Sequence, residues 1–352
     1  MTKTGFRPAA PTIVSRRRFL QSTAAALGGV MMVPMAGGLA PQRAFALDRV
    51  VHQLGWVKSI QFGGHFAAIE HGYFEEEGIE AEFLAGGPNS PNNAMLVSTG
   101  QATTSDSDVE GTIRSRAGGF PVKAFGAIMQ KAPGAIMSLS SNPIRGLEDI
   151  PGKTIAIPSG LREQIDGLLT SAGLDAGSVR YVPVGTDPGI LAAGQVDGYY
   201  GWATNQGVML RVRGVDIDIA YMNDLGVPGY AGVLFATDET FETQSDLLVR
   251  WLRAEIRGWQ WHLANPEEMA TLMVEKYGQR GLDPVAQREE SLLMPEFVAS
   301  GDAAENGLLW INPDVFQGGI DFLISAGDLE PGQFTVDDVM TQDLIAEAHA
   351  TL

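Results

Sequence analysis

Short apolar runs recur along the chain from residue 50 to residue 236, and most are separated by stretches with helical periodicity. Runs of this length bounded by Gly, Pro, Ser or Asn predict β-strands. We predict strands at residues 50–54, 79–84, 103–107, 122–129, 135–140, 153–157, 179–184, 198–202, 217–221 and 229–236. Between them we predict helices at residues 66–69, 92–100, 109–116, 162–172 and 189–193. Strands that alternate with helices favour parallel sheets covered on both faces, so the predicted fold class is α/β.

Long helices dominate the last third of the chain. From residue 246 to residue 264 the apolar residues recur at three- and four-residue spacing, which gives an amphipathic helix one apolar stripe. Such a stripe predicts packing against a core. Further helices are predicted at residues 266–273 and from residue 337 onward.

Two changes in composition divide the alternating region. Ser, Asn, Gly and two prolines cluster at residues 141–151, and the apolar strand at residues 229–236 has a Gly-containing start. We expect the chain to cross between domains at both places. The prediction is therefore two lobes, one built from residues 47–141 plus 236–352 and the other from residues 142–235.

The first 46 residues carry six basic residues and no acidic residue, as expected of an export signal. Residues 15–20 (SRRRFL) resemble the twin-arginine export motif, and a proline interrupts the apolar stretch that follows at residues 22–40. Residues 44–46 (Ala-Phe-Ala) supply a small-x-small signal, so cleavage is expected after Ala46. Since the chain has no cysteine to carry a lipid, we predict a soluble periplasmic protein that uses the twin-arginine export machinery.

Acidic residues outnumber basic residues in the chain. The count of 42 Asp and Glu against 24 Lys and Arg gives a net charge of −18, and loss of the six basic residues of the signal leaves −24. A field of this sign repels phosphate backbones, so nucleic acid is excluded as an expected partner. The absence of cysteine excludes thiolate metal sites and thiol nucleophiles.

Sequence motifs of known catalytic or metal centres are missing. The chain contains no G-x-x-x-x-G-K-[ST], H-E-x-x-H or G-x-S-x-G motif, and its five histidines do not have the spacing of metal ligands. We therefore predict no catalytic residue, no cofactor and no metal.

Several segments match, in order along the mature chain, one family of exported binding proteins. They are Trp56, residues 68–79 (AIEHGYFEEEGI), Gly86 with Gly87, residues 147–157 (LEDIPGKTIAI) and residues 194–198 (GQVDG). In these segments the chain resembles ABC-importer solute-binding proteins of the nitrate, sulfonate, taurine and thiamine-pyrimidine-precursor family. The resemblance implies a type II periplasmic binding protein fold, in which two lobes with parallel-rich sheets flanked by helices enclose a ligand cleft.

Ligand contacts are expected where predicted strands end, because open parallel sheets bind ligands at their carboxyl edge. In the first lobe the candidates are Trp56, Lys58, Gln61, Phe62, Asp106 and Ser107. The Trp56 indole either stacks on a flat heterocycle or caps the core, and Lys58 either pairs with an anionic group or is solvated. Asp106 or Asp108 accepts a hydrogen bond from an amino group of the ligand, or caps a helix.

The second lobe supplies further candidates, which are Ser159, Gly160, Tyr200, Trp202, Asn205 and Tyr230. Ser159 and Gly160 precede a helix whose first backbone amides suit an anionic or carbonyl oxygen. Strand alternation sends Tyr200 and Trp202 to one face and Tyr199 to the other, so at most two of the three aromatic rings are expected in the cleft. Packing of all three rings remains the alternative.

The predicted function is capture of a small planar N-heterocycle, similar to a thiamine-pyrimidine precursor, by aromatic stacking and hydrogen bonds. The protein is expected to act as a monomer and to deliver its ligand to an ABC permease in the cytoplasmic membrane. One alternative is a binding protein for a sulfonate, taurine or another small organic anion. The other is an enzyme of the pyrimidine-synthesis type on the same scaffold, for which the resemblance implies a lysine-bound pyridoxal phosphate and reactive histidines.

Overall fold

The computed structural model describes residues 46–352, apart from residues 88, 159, 160, 184 and 228. The predicted signal peptide, except for Ala46, lies outside the described residues. Two of the predicted ligand contacts, Ser159 and Gly160, lie outside them as well.

Ten strands in the described part of the chain form two five-stranded sheets. The strands are β1 (Asp48–Gln53), β2 (Ile79–Leu84), β3 (Thr104–Asp108), β4 (Val122–Met129), β5 (Gly134–Leu139), β6 (Thr154–Ile157), β7 (Arg180–Pro183), β8 (Gly198–Trp202), β9 (Ile217–Tyr221) and β10 (Ala231–Thr237). The first sheet has the order β2-β1-β3-β10-β4, and the second has the order β7-β6-β8-β5-β9. Each predicted strand therefore coincides with an observed one to within a few residues.

Each sheet is mixed, with one antiparallel strand among parallel neighbours. In the first sheet β1 is parallel to β2 and β3, whereas β10 is antiparallel to β3 and β4. In the second sheet β6 is parallel to β7 and β8, whereas β5 is antiparallel to β8 and β9. The predicted parallel-rich sheets are confirmed. The antiparallel strand of each sheet is the one along which the chain enters that sheet from the other.

The two antiparallel strands also show where the chain passes between the sheets. Strand β5 belongs to the second sheet, so the chain crosses before residue 134, whereas the predicted lobe boundary follows residue 141. Strand β10 belongs to the first sheet from residue 231, ahead of the boundary predicted at residue 236. The division into two lobes that move separately stays a prediction.

Helices flank both sheets. They are α1 (Gly63–Glu70), α2 (Tyr73–Glu76), α3 (Asn93–Ser98), α4 (Val109–Ala117), α5 (Arg162–Ser171), α6 (Gly189–Ala192), α7 (Val208–Val212), α8 (Asp238–Ala264), α9 (Pro266–Leu272), α10 (Pro284–Val298), α11 (Gly301–Asn306), α12 (Pro313–Ala326), α13 (Val336–Val339) and α14 (Asp343–Ala350). Short 3₁₀ turns lie at Ile60–Phe62, Leu147–Asp149 and Ala176–Ser178, and π turns lie at Ala203–Gly207 and Met273–Tyr277. Among the described helices, none is both long and apolar enough to cross a membrane.

Helix α8 supplies much of the core beside the first sheet. Its predicted apolar stripe is buried, with Leu252, Ile256 and Trp259 fully inaccessible to solvent. Burial of such large side chains stabilises the fold by about 1.5–3 kcal/mol each. A separate core lies in the second sheet, where Ile136 of β5 and Ile155 of β6 are also fully buried. Each sheet therefore packs against its own hydrophobic core.

Candidate functional site

A cavity of about 520 Å³ lies where strand ends of the two sheets meet. It is lined by Gly55, Trp56, Gln61, Asp106, Ser107, Asp108, Pro158, Gly185, Thr186, Tyr199, Tyr200, Gly201, Trp202, Asn205, Gln206, Ala231 and Gly232. Most of these residues end β1, β3 and β8 or follow β6 and β7, and Ala231 and Gly232 begin the antiparallel β10. Their position agrees with ligand binding at the carboxyl edge of open α/β sheets, and the volume suits a small organic molecule.

The loop after β1 carries Trp56 and is fixed by close backbone contacts. A Cβ at Gly86 would lie 2.2 Å from the Leu54 carbonyl oxygen, so the two loops approach closely only with glycine at this position. The Gly86 N–H donates to the Trp56 carbonyl at 2.9 Å. These contacts hold the half-buried Trp56 indole at the cavity wall.

Asp106, near the end of β3, is held from two sides. Its Oδ1 accepts from the Gly55 N–H at 2.8 Å and lies 3.3 Å from His52 Nε2, and the residue is 6% exposed. Because a carboxylate only accepts, His52 Nε2 carries the proton, and Nδ1 accepts from the Thr104 hydroxyl at 2.9 Å. Burial lowers the pKa of His52, so its ring is neutral near pH 7.

Asp108 caps a helix, which is one of the two roles that the sequence left open for it. Its carboxylate accepts from the Gly111 N–H and caps the first turn of α4. Asp108 also borders the cavity, and Glu110 lies two residues further along the chain. Burial, together with the Asp108 charge, raises the pKa of Glu110 to about 7.

The opposite wall consists of aromatic rings from β8. Tyr200 and Trp202 border the cavity as placed by the alternation of the strand. Tyr199 borders it too, although the alternation predicted at most two of the three rings there. Its hydroxyl donates at 2.9 Å to the carbonyl of Gly185, which is also part of the lining. Burial raises the pKa of Tyr200 well above its usual range, so its hydroxyl keeps its proton at neutral pH.

The π turn after β8 positions two carboxamides at the cavity. Gln206 Oε1 accepts from the Trp202 N–H at 2.8 Å, which fixes the end of the strand. Asn205 Nδ2 donates to Glu290 Oε2 at 3.4 Å, and Glu290, on α10, is 1% exposed. Its other oxygen, Oε1, has no hydrogen-bond partner among the described residues. Burial raises the pKa of Glu290 to about 8.

Seven of the predicted contacts line the cavity together, and three described ones do not. The seven are Trp56, Gln61, Asp106, Ser107, Tyr200, Trp202 and Asn205. The Lys58 ammonium lies 5.7 Å from the centre of the Phe66 ring, and burial lowers its pKa. Phe62 is 2% exposed and packs in the core, and the buried Tyr230 donates its hydroxyl to Asp302. These three residues therefore lie outside the described lining, and ligand contact by the other seven stays a prediction.

The sequence reasoning missed Gly185, Thr186 and Glu290. The first two follow β7, so the same strand-end argument would have found them. Glu290 gave no signal, because its helix is distant from β8 in sequence. Within the described ranges, no group of three or more His, Asp or Glu side chains is arranged to hold a metal ion.

The lining carries negative charge only. Asp106 and Asp108 border the cavity, and no Lys, Arg or His among the described residues does. Polar neutral groups come from Gln61, Ser107, Thr186, Asn205 and Gln206. The cavity therefore combines flat aromatic walls with hydrogen-bonding groups and two carboxylates.

Comparison with known proteins identifies a family and several relatives of this chain. A family model described as NMT1/THI5 like matches residues 59–269. A riboflavin-binding protein from Chloroflexus aurantiacus is 30% identical and covers 67% of this chain and 68% of its own. A formylaminopyrimidine-binding protein from Halalkalibacterium halodurans is 25% identical, with 70% and 76% covered. A 4-amino-5-hydroxymethyl-2-methylpyrimidine phosphate synthase from Legionella pneumophila is 26% identical, with 65% and 73% covered.

Solved structures show the same fold. A protein from Bordetella bronchiseptica has a TM-score of 0.66 at 20% identity, covering 86% of this chain and 97% of its own. The periplasmic aliphatic sulphonate binding protein of Escherichia coli has a TM-score of 0.65 at 14% identity, with 85% and 93% covered. The predicted two-sheet periplasmic binding protein fold is confirmed by this likeness.

Proposed function

Because the chain belongs to the NMT1/THI5-like family, we propose that it is the solute-binding component of an ABC importer and that it captures a small planar N-heterocycle in the cavity between its sheets. The predicted resemblance to the nitrate, sulfonate, taurine and thiamine-pyrimidine-precursor proteins is confirmed at the level of the family. The ligand and the site residues are the proposal.

The observation that carries the proposal is the aromatic lining of the cavity. Trp56 comes from a loop of the first sheet, and Tyr200 and Trp202 come from the second, so rings from both sides border one space. Flat conjugated ligands stack on such rings, while hydrogen bonds from neighbouring polar groups set their orientation. Gln61, Ser107 and Asn205 are the neutral groups in position to do so.

Two relatives support a heterocycle as the ligand class. Their names assign them riboflavin and formylaminopyrimidine, which are both flat nitrogen heterocycles. The structural neighbour from Escherichia coli binds aliphatic sulphonates according to its name, but a sulfonate anion is bound best by cationic side chains. Lys58, the cation predicted for that role, lies outside the lining. The sulfonate alternative is therefore disfavoured.

The enzyme alternative is favoured by one kind of relative and opposed by the lining. The Legionella pneumophila relative is named as a synthase. A pyridoxal-dependent enzyme requires a lysine at the site, and the described lining contains neither lysine nor histidine. His65 Nδ1 instead lies 2.7 Å from Glu255, and both side chains are fully buried. Binding without chemistry is the function that this lining supports.

The proposed location follows from the function and from the N-terminal sequence. Residues 1–46 would act as a twin-arginine signal, and the mature chain would work in the periplasm as a monomer that docks on a permease. Determination of the N-terminal residue of the exported protein tests this step, with Leu47 expected.

A thermal-shift screen of the purified protein tests the proposed ligand class. The panel contains pyrimidines, flavins, other N-heterocycles, aliphatic sulfonates, taurine and nitrate. A ligand that binds only the folded state raises the melting temperature by mass action. We expect a shift with a heterocycle and none with the anions. A shift with sulfonates alone would support the anion alternative, and an aldimine absorbance band in the pure protein would support the enzyme.

A further inference from the structure

The charge of the cavity narrows the class of heterocycle that fits it. The described lining holds the carboxylates of Asp106 and Asp108 and no basic side chain. In a partly closed cavity such charges are screened less than on an open surface, so they act strongly on a bound ligand.

Asp106 is the better placed of the two carboxylates to meet a ligand. Both contacts that hold it, from the Gly55 N–H and His52 Nε2, go to Oδ1, so Oδ2 is left for another donor. Asp108 is instead engaged by the first turn of α4, whose helix dipole offsets part of its charge.

Nothing in the described surroundings of Asp106 neutralises its charge. His52 is the nearest titratable partner, and its buried ring is neutral. The next histidine, His65, lies with its ring centre 5.1 Å from that of His52 and is matched by the Glu255 carboxylate. The described residues around Asp106 therefore supply no positive charge, and a cationic ligand would supply one.

Other groups of the lining are compatible with the same ligand chemistry. Asn205 donates its Nδ2 to Glu290, which leaves its Oδ1 as the atom free to accept. The faces of Trp56, Tyr200 and Trp202 attract cations through the negative potential of their π systems. The cavity that Asp106 borders thus also offers an acceptor and aromatic faces to a bound cation.

We propose that the ligand is a cationic heterocycle, one that presents an ammonium, amidinium or protonated ring nitrogen to Asp106, and that the cavity selects this cation over its neutral and anionic counterparts. The inference rests on the proposed function, because it concerns the same cavity. It specifies that the heterocycle carries a positive charge, and it assigns Asp106 as the residue that determines specificity for that charge.

Three probes that share one ring test the inference by calorimetric titration at pH 7. The ring is the heterocycle that gives the largest shift in the screen, and it carries an aminomethyl, a hydroxymethyl or a sulfomethyl group. The aminomethyl probe is positive at this pH. We expect it to bind at least about tenfold more tightly than the hydroxymethyl probe, and the sulfomethyl probe to bind most weakly.

The substitution Asp106→Asn shows whether Asp106 causes the preference. The amide keeps an oxygen for the Gly55 N–H and removes the charge. We expect the ratio between the affinities of the aminomethyl and hydroxymethyl probes to fall below about threefold, whereas Asp337→Asn, at an exposed position on α13, keeps the wild-type ratio. If Asp106→Asn does not fold, the ratio between the affinities of the aminomethyl and hydroxymethyl probes for the wild-type protein still tests the cation preference.

The outcomes separate this inference from the proposed function. Binding of all three probes within about threefold in the wild-type protein would overturn the cation preference and leave a heterocycle-binding protein. A preference that survives Asp106→Asn would overturn the role of Asp106. Failure of every heterocycle in the screen would overturn the proposed function, and the inference with it.

Discussion

At the residue scale, Glu290 is a buried acid that links the cavity to the pH dependence of stability. Its carboxyl is 1% exposed, one oxygen has no partner among the described residues, and burial raises its pKa from 4.5 to about 8. The folded protein therefore keeps a proton that the unfolded chain releases between these two values. The free energy of unfolding falls as pH rises through this window, because the folded state binds more protons there.

The substitution Glu290→Gln should remove this loss of stability at high pH. At pH 9, where the wild-type carboxyl ionises in a buried position, we expect the substitution to raise the free energy of unfolding by about 1–3 kcal/mol. At pH 5 we expect a change of less than about 1 kcal/mol. Urea unfolding at the two pH values measures the difference. The control is Glu289→Gln on the same helix, whose side chain is 46% exposed. An equal effect of Glu290→Gln at both pH values would contradict the shifted pKa.

The candidate site was predictable in part from single residues. Trp56, Asp106 and Trp202 line the cavity because they end strands at the carboxyl edge, and a strand end is visible in the sequence. Lys58 and Phe62 lie outside the described lining, in a loop and a 3₁₀ turn where no period assigns side chains to a face. The choice between core and cavity was made there by tertiary packing.

At the element scale, the close crossing of α1 and α8 depends on two glycines. A Cβ at Gly258 would lie 2.2 Å from the Gly64 carbonyl oxygen, and a Cβ at Gly64 would lie 2.2 Å from the Trp259 ring. Backbone and a fully buried indole have little room to move aside. The crossing holds α1 against the core, directly after the loop and 3₁₀ turn that carry Trp56 and Gln61.

The substitution Gly258→Ala should destabilise the protein by about 1–3 kcal/mol because it forces the helices apart. Gly318→Ala, in the middle of α12, is the matched control, since nothing lies within 4 Å of its added Cβ. The control should stabilise by about 0.5–1 kcal/mol through helix propensity. Denaturant unfolding of both variants decides, and stabilisation by Gly258→Ala would show that the helices separate freely.

The positions of the elements followed from hydrophobic periodicity, but the directions of β5 and β10 did not. A pattern of apolar residues reports which face of a strand is buried and is the same for either direction. The two strands run against their neighbours because each carries the chain from one sheet to the other. That path is a property of the whole fold, so it was not encoded in any local stretch.

At the scale of the whole molecule, two sheets with separate cores meet at one cavity. The order of short motifs along the chain predicted this architecture through the family resemblance, and the likeness to solved structures confirms it. The described lining is aromatic and acidic, whereas a site for a sulfonate anion would be basic. The central claim is therefore that a planar heterocycle binds between the aromatic walls.

Calorimetric titration of the purified protein with the heterocycle that gives the largest thermal shift tests this claim most directly. We predict one ligand per chain and a loss of about 1–3 kcal/mol of binding free energy in Trp56→Ala and in Trp202→Ala, the magnitude of stacking on one aromatic ring. Trp261→Ala is the control, since that indole packs on His71 outside the lining, and it should bind as the wild type does. Equal affinity in all four proteins would contradict the aromatic cavity as the binding site.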